Sequence, residues 1–371
     1  MVMLHIFSKY LKLKNNIPYI SLGNFPTKLQ SLDFLNKQYC RSDIYIKRDD
    51  LSNDFYGGNK VRKLEFLLAD AKNKNKKTII TFGLAGSNHA LATTIFSKQT
   101  GLSSVSMLLP QANSHFLKNN LIFGYLYEAD IRLRSNKFFL ALDTAYVILK
   151  KIFTEKMVPY IIPPGGSSVL GNIGFVNAAF EISEQLRVTT KNSNKQIKIF
   201  LPLGSCGSAV GLILGFKLLN INVKVIGVRV TDVKYANFEK IIHLVKKTNI
   251  FLNKIDKSVP LVRVSQDDFE IIENFFGKGY GYFSREDIDA INLLNLEQGI
   301  KLDGTYSGKT FAAFLDYIKK NPDLKEVLIF WDTFSSLNLE SFVKNFDYKL
   351  LPYNLHRYFQ EPVQSLDYEI K

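Results

Sequence analysis

The stretch TIITFGLAGSNHALATT, residues 78–94, decides the fold class. A β-branched run at 78–82 predicts a short strand, and small residues then lead to Ser87-Asn88-His89, where the pattern is typical of a helix beginning. A strand that leads directly into a helix is the repeating unit of α/β proteins, in which successive strands lie parallel. The stretch therefore predicts a parallel sheet with helices between its strands.

The same alternation continues along most of the chain. Further β-branched runs predict strands at 44–46, 105–109, 158–162, 197–201, 223–230 and 327–331. Apolar spacing at 61–68 predicts one helix, and the capping signals of Ser284 and Gly299 enclose a second at 284–298. The predicted fold class is α/β, with doubly wound domains and mostly parallel sheets.

Length and composition narrow the class of protein. The 371 residues suit two domains, because single cores stop growing at roughly 250–300 residues. Two cysteines, Cys40 and Cys206, are too few for a disulfide framework and favour a reducing compartment. Neither a basic leader with a cleavage site nor a run of about 18 apolar residues is present. We therefore expect a cytoplasmic protein with no membrane partner.

The net charge of +14 raises the question of a nucleic-acid partner. The lysines are scattered in mixtures with asparagine, such as AKNKNKK at 71–77, without zinc-finger, helix-turn-helix or aromatic RNA-binding signatures beside them. We therefore expect a solvated surface and no nucleic-acid partner. The five histidines show no pair at metal-ligand spacing, so no metal site is expected.

Four loops are richer in glycine than simple turns require. They are FYGGNKVRKLEF at 55–66, TFGLAGSNHALATT at 81–94, PPGGSSVLGNIG at 163–174 and PLGSCGSAVGLILGF at 202–216. In doubly wound sheets, ligands bind where such loops leave the strands. Gly204 to Ser208 would present backbone N–H groups and hydroxyls to a phosphate, although a tight turn explains the loop equally well. It matches neither the Walker nor the Rossmann nucleotide pattern.

Three other groups could carry chemistry, each with a simpler alternative. Lys60 follows a glycine loop among other cations, which would lower its pKa and favour attack on a carbonyl, unless it is only a solvated lysine. Ser87-Asn88-His89 could bind a carboxylate at a helix N-terminus, or Ser87 could only cap the helix. Tyr280 and Tyr306 stand on glycine-framed loops, where they could stack on a ring, transfer a proton or simply pack.

Taken in order, these segments resemble the pyridoxal-phosphate enzymes of the 1-aminocyclopropane-1-carboxylate deaminase and D-cysteine desulfhydrase family. The order is YIKRDD (45–50), GGNKVRKLEF (57–66), SNHA (87–90), GGSSVLGNIGFV (165–176), the 204–208 loop, GYGY (279–282) and LDGTYSGK (302–309). The similarity covers residues 26–331. It implies the tryptophan-synthase-β-like fold (fold type II), pyridoxal 5'-phosphate as cofactor, and a homodimer.

The resemblance also implies a domain division and a cofactor site. Residues 1–60 and 171–371 would form the large cofactor-binding domain, and residues 61–170 the small domain. Lys60 matches the lysine that bonds to the cofactor, Lys63 a residue near its phosphate, and Asn88 the amide at its ring hydroxyl. The phosphate loop corresponds to Gly204, Ser205, Cys206, Gly207 and Ser208. Ser307 matches the position facing the pyridine nitrogen.

The remaining family positions concern the substrate and the reaction. Ser87 and the backbone of Asn88 and His89 match the site for the substrate carboxylate, and the catalytic set would be Lys60, Ser87, Tyr280 and Tyr306. Ring-opening members place a glutamate where this chain has Ser307. The resemblance therefore favours α,β-elimination on a small amino acid, giving pyruvate, ammonia and sulfide from cysteine. The alternatives are a cyclopropane-carboxylate deaminase and a non-catalytic homologue that binds the cofactor.

The chain departs from the family pattern at three places. Ala85-Gly86 precedes the Ser-Asn pair, where the family usually has a polar residue, and Leu91 replaces another polar position. Residues 331–334 read Trp-Asp-Thr-Phe in place of a Thr-Gly-Gly run. Loss of two glycines there would reshape the substrate pocket. Residues 335–371 match nothing in the family pattern.

Overall fold

The computed structural model describes residues 4–189, 195–323, 325–335 and 337–371. The helices are α1 (His5–Lys9), α2 (Leu11–Asn16), α3 (Asp33–Gln38), α4 (Lys60–Asn73), α5 (Asn88–Gln99), α6 (His115–Leu126), α7 (Lys137–Glu155), α8 (Val169–Thr189), α9 (Gly207–Leu219), α10 (Phe238–Ile255), α11 (Arg285–Gln298), α12 (Ser307–Lys320), α13 (Glu340–Val343) and α14 (Arg357–Gln360). The strands are β1 (Leu29–Ser31), β2 (Ile44–Arg48), β3 (Thr78–Leu84), β4 (Ser103–Leu109), β5 (Asp130–Leu133), β6 (Tyr160–Ile162), β7 (Ile197–Leu203), β8 (Val223–Arg229), β9 (Phe269–Ile272) and β10 (Val327–Asp332).

The strands form two sheets. A six-stranded sheet has the order β1-β2-β10-β7-β8-β9, and a four-stranded sheet has the order β5-β4-β3-β6. Only the β1–β2 pair is antiparallel among the strand pairs of the described residues. The four-stranded sheet uses consecutive strands from the middle of the chain, whereas the six-stranded sheet takes strands from both sides of it. The α/β fold class with mostly parallel sheets is confirmed.

Helices cover both faces of the six-stranded sheet. Along β10, Ile329 and Trp331 point into one apolar core with α8, α9 and α10. Leu328 and Phe330 point into a second core with α11 and α12. Successive strand residues face opposite sides, so a strand buried on both faces reads as the continuous apolar run that the sequence shows at 327–331.

The predicted elements agree with the structure where local signals were strong. Each predicted strand run lies within or overlaps an observed strand, and α11 has the expected caps. Ser284 and Asp287 form a reciprocal capping box, and Gly299 ends the helix at φ +64°. The sequence reading missed β1, β5 and β9, which have only three or four residues each. Such short strands carry too little periodicity to distinguish them from loops.

A buried cluster of charges connects β2, α4 and α8. The guanidinium of Arg62 donates to both carboxylate oxygens of Asp49 (2.8 and 2.9 Å) and of Glu181 (2.8 and 2.9 Å). Lys47 Nζ lies 2.5 Å from Glu181 Oε1, and the indole N–H of Trp331 donates to Asp49 Oδ2 over 2.8 Å. Burial alone would raise the pKa of Glu181, but Arg62 and Lys47 lower it to about 2. The cluster therefore stays ionised and satisfied inside the protein.

The end of the chain returns to the four-stranded sheet. We call residues 343–371 the C-terminal strap. Its buried side chains Val343, Leu351, Leu355 and Tyr358 share a core with Leu117 and neighbouring residues of α6. The strap then contacts α11, where Arg285 pairs with Glu369 and Asn292 Nδ2 donates to Glu369 O over 2.8 Å. The domain division stays a prediction, and the strap is shared between the two sheets.

No helix within the described ranges is long and apolar enough to cross a membrane.

Replacement of Arg62 by leucine should strongly destabilise the fold. The change leaves Asp49 and Glu181 buried with one cation fewer, and removal of one partner from a buried ion cluster costs about 3–5 kcal/mol. Urea unfolding followed by circular dichroism would measure the loss. The matched control is Lys98→Leu, which breaks the exposed Lys98–Glu128 pair and should cost about 1 kcal/mol or less. Equal losses in the two variants would contradict the importance of the cluster.

Candidate active site

The glycine-rich loops converge beside the carboxyl end of β7. Asn59 precedes α4, and its Nδ2 donates to Ser208 Oγ on α9 over 3.3 Å. Lys63 Nζ donates to Gly165 O at 3.0 Å and lies 3.4 Å from Ser167 Oγ. Three segments that are distant in sequence therefore meet at one place, where a doubly wound sheet is expected to bind its ligand.

Gly207 lies at the centre of this place, as the first residue of α9. Its N–H donates to Ser167 Oγ over 3.0 Å, and that hydroxyl donates to Ser205 Oγ over 2.7 Å. A methyl group added at Gly207 would lie 2.4 Å from Ser167 Oγ, 2.6 Å from Asn172 Oδ1 and 2.8 Å from Lys63 Nζ. A helix N-terminus, hydroxyls and an ammonium around a small space form a cradle for an anion.

The other loop residues contribute in different ways. Cys206 has φ +73°, and its thiol donates to Tyr235 O over 3.5 Å. Burial raises the pKa of this thiol to about 11, so it stays neutral and only its backbone can serve an anion. Gly204 lies next to the ring of Tyr306, 3.6 Å from the position of an added methyl group.

Lys60 is the first residue of α4 and is half-buried. Burial lowers the pKa of its ammonium from 10.5 to about 8, although Asp303 opposes the shift. Burial, and after it the charge of Lys60, lower the pKa of Lys63 well below its ordinary value. An amine with a pKa near 8 is available in its neutral, nucleophilic form close to physiological pH.

Ser87, Asn88 and His89 begin α5, but their side chains differ in role. Ser87 Oγ accepts from Ala90 N over 3.2 Å, which caps the helix, and Asn88 Oδ1 accepts from Asn120 Nδ2 over 3.1 Å. His89 is buried, and neither ring nitrogen makes a well-formed hydrogen bond with the described residues. Burial, then Lys60 and Lys63, hold the pKa of His89 well below its usual range, so the imidazole is neutral.

The two predicted tyrosines contact each other. The hydroxyls of Tyr280 and Tyr306 are hydrogen-bonded, and their rings lie 5.7 Å apart in an edge-on arrangement at 80°. Burial raises the pKa of both phenols above the ordinary value, so both remain protonated. They can therefore donate protons but not serve as resting phenolates.

Asp303 is a site residue that sequence reasoning missed. It is buried, and its Oδ1 accepts from Ser307 Oγ over 2.7 Å and from Ser307 N over 2.9 Å. Its Oδ2 accepts from the N–H groups of Thr305 and Tyr306. Asp303 therefore fixes both the start of α12 and the rotamer of Ser307. Asp303 lies four residues before α12, and an acidic residue shortly ahead of a helix start is a local signal that could have revealed it.

The first comparison concerns the whole chain. A family model described as pyridoxal-phosphate dependent enzyme matches residues 20–330. The chain belongs to this family.

Individual members of the pyridoxal-phosphate family refine the comparison. A putative 1-aminocyclopropane-1-carboxylate deaminase of Pyrococcus abyssi is 32% identical over 322 residues, which covers 86% of this chain and 92% of the relative. A D-cysteine desulfhydrase of Salmonella schwarzengrund is 32% identical over 311 residues, covering 82% and 89%. The suspected family resemblance is confirmed.

Solved structures support the same fold. The crystal structure of an ACC deaminase homologue superposes with a TM-score of 0.74 at 28% identity, covering 92% of this chain and 98% of that one. A processed threonine deaminase isoform from Solanum lycopersicum has a TM-score of 0.55 at 16% identity, which supports the fold alone. The chain is thus a pyridoxal-phosphate-dependent enzyme of fold type II.

The residues of the site fit this cofactor. The Gly207 cradle has the donors that a phosphate needs, and Lys63 adds a cation. A bound phosphate dianion would raise the pKa of Lys63, which burial lowers. Asn172 Oδ1, at the edge of the cradle, has no hydrogen-bond partner in the described part of the chain. Lys60 supplies an amine able to react with an aldehyde. Across the described ranges, no three His, Cys, Asp or Glu side chains are grouped to hold a metal.

The departure at 331–334 lies directly against the loop before Lys60. The N–H of Asn59 donates to Thr333 O over 3.2 Å, and the N–H of Gly57 donates to Ser335 Oγ over 3.1 Å. Gly58 has φ +96°, and an added methyl group would lie 2.9 Å from the carbonyl oxygens of Thr333 and Phe334. Only glycine can both lie this close to the two carbonyl oxygens and adopt this positive φ without strain. The segment therefore positions the loop through its backbone.

The C-terminal strap holds the loop that carries Tyr280. Gln364 Nε2 donates to Gly281 O over 2.9 Å, and Gln364 Oε1 accepts from Phe283 N over 2.8 Å. The N–H of Gln364 lies 3.4 Å from Asn113 O, which precedes α6. One side chain thus connects the Tyr280 loop to the segment leading into α6. Nothing local in the sequence signals these contacts, because they join residues more than 80 positions apart.

Replacement of Gly207 by alanine should weaken cofactor binding tenfold or more, since the added methyl group fills the anion cradle and displaces Lys63. Titration of the apoprotein with pyridoxal phosphate, followed by absorbance, would measure the affinity. The matched control is Gly124→Ala in α6, where an added methyl group meets its nearest neighbour at an ordinary 3.5 Å. If both variants bound the cofactor like the unaltered protein, the cradle would not be the phosphate site.

Proposed function

We propose that the chain catalyses α,β-elimination on a small amino acid, in the manner of a D-cysteine desulfhydrase. With cysteine as substrate, one cysteine and one water give pyruvate, ammonia and sulfide. Ser307 carries the proposal, because ring-opening members of the family place a glutamate at this position. Glutamate keeps the pyridine nitrogen protonated, whereas a hydroxyl suits a weaker electron sink. A weaker sink favours prompt loss of a leaving group over a long-lived carbanion.

The surroundings of Ser307 support this proposal. Its hydroxyl lies 2.7 Å from Asp303 Oδ1 and 2.8 Å from Asp303 N, so its orientation is fixed. The negative charge of Asp303 is spread over the N–H groups of Thr305, Tyr306 and Ser307. The one proton of the Ser307 hydroxyl is therefore directed at Asp303, and position 307 offers a ligand no acid that would protonate a pyridine nitrogen.

The proposed roles follow from protonation states. When bound, pyridoxal phosphate supplies the sink for the electron pair that remains after a proton leaves the substrate Cα. The neutral amine of Lys60 removes that proton, with Ser87 Oγ as the alternative base. The thiolate then leaves Cβ with its bonding electrons. Tyr280 and Tyr306, both protonated, would donate a proton to the leaving group.

The substrate carboxylate belongs at the start of α5. The backbone N–H groups of Asn88 and His89 are near the positive end of the helix dipole, and Ser87 adds a hydroxyl proton. The imidazole of His89 is neutral and adds no charge to this site. Binding of the carboxylate thus depends on backbone donors. These donors bind the carboxylate of a D- and of an L-amino acid alike.

Two other functions have an observation in their favour. A cyclopropane-carboxylate deaminase is favoured by the names of the Pyrococcus relative and of the superposed structure. A non-catalytic homologue that binds the cofactor is favoured by the altered segment at 331–334. The first would form a keto acid from the cyclopropane amino acid, and the second would hold the cofactor with a spectrum that no amino acid changes.

We further propose the setting in which the enzyme works. Residues 1–60 and 171–371 form the large domain and residues 61–170 the small one, with the strap reaching across. The chain is a homodimer in the cytoplasm, as the family resemblance and the two lone cysteines favour.

A panel of amino acids should separate these functions. We expect pyruvate from D-cysteine at a rate well above that from L-cysteine or the cyclopropane amino acid, with a change in the visible spectrum on mixing. Ser307→Glu should move the preference toward the cyclopropane amino acid, whereas the uncharged control Ser307→Gln should not. Faster turnover of the cyclopropane amino acid by the unaltered enzyme would refute the proposal, and an unchanging spectrum would favour the non-catalytic homologue.

Lys60 should react with the cofactor in a pH-dependent way. Only the neutral amine attacks an aldehyde, so the rate at which the apoprotein acquires visible absorbance should rise with pH and reach half its maximum near pH 8. Lys60→Ala should gain no such band, while the exposed control Lys72→Ala behaves like the unaltered protein. A midpoint near 10.5, the value of an ordinary lysine, would contradict the burial argument.

A further inference from the structure

Helix α7 exposes a stripe of large apolar side chains. Phe139, Leu142, Tyr146, Leu149 and Phe153 are each between 50% and 72% exposed. Their spacing is 3, 4, 3 and 4 residues, which places them on one face of the helix and is the spacing of a seam between two packed helices. We call this set the α7 stripe.

The α7 stripe lies opposite the face by which the helix is attached. Val147 is the buried residue of α7, and it shares a small core with Ile80, Val105 and Met107 of the four-stranded sheet. Leu140 and Ile148 pack partly against the same core. The helix is therefore already held by its inner face. On the outer face the guanidinium of Arg132 lies 5.9 Å from the ring centre of Tyr146, which still leaves that side chain 55% exposed.

Neighbouring residues extend the exposed apolar surface. Ile161 of β6 is the register partner of Ile80, so it lies on the same face of the sheet as α7, and it is 48% exposed. Phe138 and Val158, at the two ends of α7, are also exposed. At about 180 Å² for a large apolar side chain, the eight residues expose roughly 800 Å². This exceeds the largest patch of most monomers, about 300–600 Å².

The area matches one side of a standard protein interface, which is about 800 Å² per partner. The carboxylates at its border are already paired within the chain. Asp143 pairs with Arg132 and Arg134 at 2.8 Å each, and Lys151 pairs with Glu155 at 2.7 Å. Covering the patch would therefore leave no carboxylate without a partner.

The order of residues in the α7 stripe identifies the partner. In either chain direction the stripe reads Phe, Leu, Tyr, Leu, Phe, with Tyr146 in the middle. When two such helices pack antiparallel about Tyr146, Phe139 meets Phe153 of the other copy and Tyr146 meets its own counterpart, while Leu142 lies one residue out of register with Leu149 of the other copy. A surface that is complementary to itself about a two-fold axis is what a symmetric dimer requires.

We propose that α7 packs antiparallel against α7 of a second copy of this chain, with the two-fold axis at Tyr146. This gives an interface to the homodimer proposed above and rests on that part of the proposed function. It is independent of the reaction, because association is measured without substrate.

The mass of the full chain in solution tests the proposal. By light scattering at micromolar concentration, we expect the unaltered protein to have the mass of two chains. The double variant Leu142→Arg/Leu149→Arg should have the mass of one chain, with an association constant lower by roughly hundredfold or more. The matched control Leu296→Arg, at an 81% exposed leucine of α11, should remain a dimer. Unchanged circular dichroism would show that the double variant is folded.

A cross-link tests the axis itself. In a Cys40→Ser background, Tyr146→Cys should form a disulfide-linked dimer on mild oxidation, and Leu296→Cys should not. A single-chain mass for the unaltered protein, a dimer that survives the double variant, or no cross-link at position 146 would each overturn the proposal. A monomer that floats with phosphatidylcholine–phosphatidylglycerol vesicles would assign the stripe to a lipid surface instead. None of these results alters the proposed lyase chemistry, which the amino-acid panel tests separately.

Discussion

The site depends on the buried ion pairs that the guanidinium of Arg62 forms with Asp49 and Glu181. Asp49 and Glu181 hold the guanidinium on one side of α4. Lys60 and Lys63, one turn apart, share a different face of the same helix. Fixing Arg62 against the carboxylates therefore directs both lysines away from that cluster, and Lys63 reaches the Gly207 cradle. One set of buried charges thus determines both how α4 packs on α8 and where the two amines point.

Lys60, Arg62 and Lys63, the three cations of this helical turn, differ in how far nearby carboxylates neutralise their charge. Arg62 has two carboxylates in direct contact, and its charge is permanent. Lys60 and Lys63 are held where burial lowers their pKa, and the described residues give Lys63 no carboxylate as a hydrogen-bond partner. An incompletely compensated ammonium costs stability in the empty site, but the charge of Lys63 is what a phosphate dianion requires. The lowered pKa of Lys60 supplies the neutral amine that an aldehyde requires. The residues that would bind the cofactor thus lower the stability of the fold when the site is empty.

The sequence predicted those features that depend on neighbouring residues. Capping residues located α11, β-branched runs located the main strands, and glycine loops located the cradle. The carboxylate of Asp303 behind Ser307 is a local feature that the sequence reading missed. The hydroxyl of Ser167 and the contacts of Gln364 were not foreseen, because they depend on which distant segments meet. Net charge did not locate Lys63 at the cradle either, because a total count of cations does not show which of them the fold buries.

The altered segment at 331–334 contacts the loop before Lys60 and helix α6 through different atoms. The carbonyl group of Thr333 accepts from the N–H of Asn59, and the carbonyl groups of Thr333 and Phe334 lie close to Gly58. The side chain of Phe334 instead turns to Phe116 of α6, with the rings 5.3 Å apart. The indole N–H of Trp331 also donates to Asp49, which binds Arg62 of the same helix as Lys60. The segment therefore supports the start of α4 through the carbonyl group of Thr333 and the indole of Trp331, while the ring of Phe334 joins it to α6.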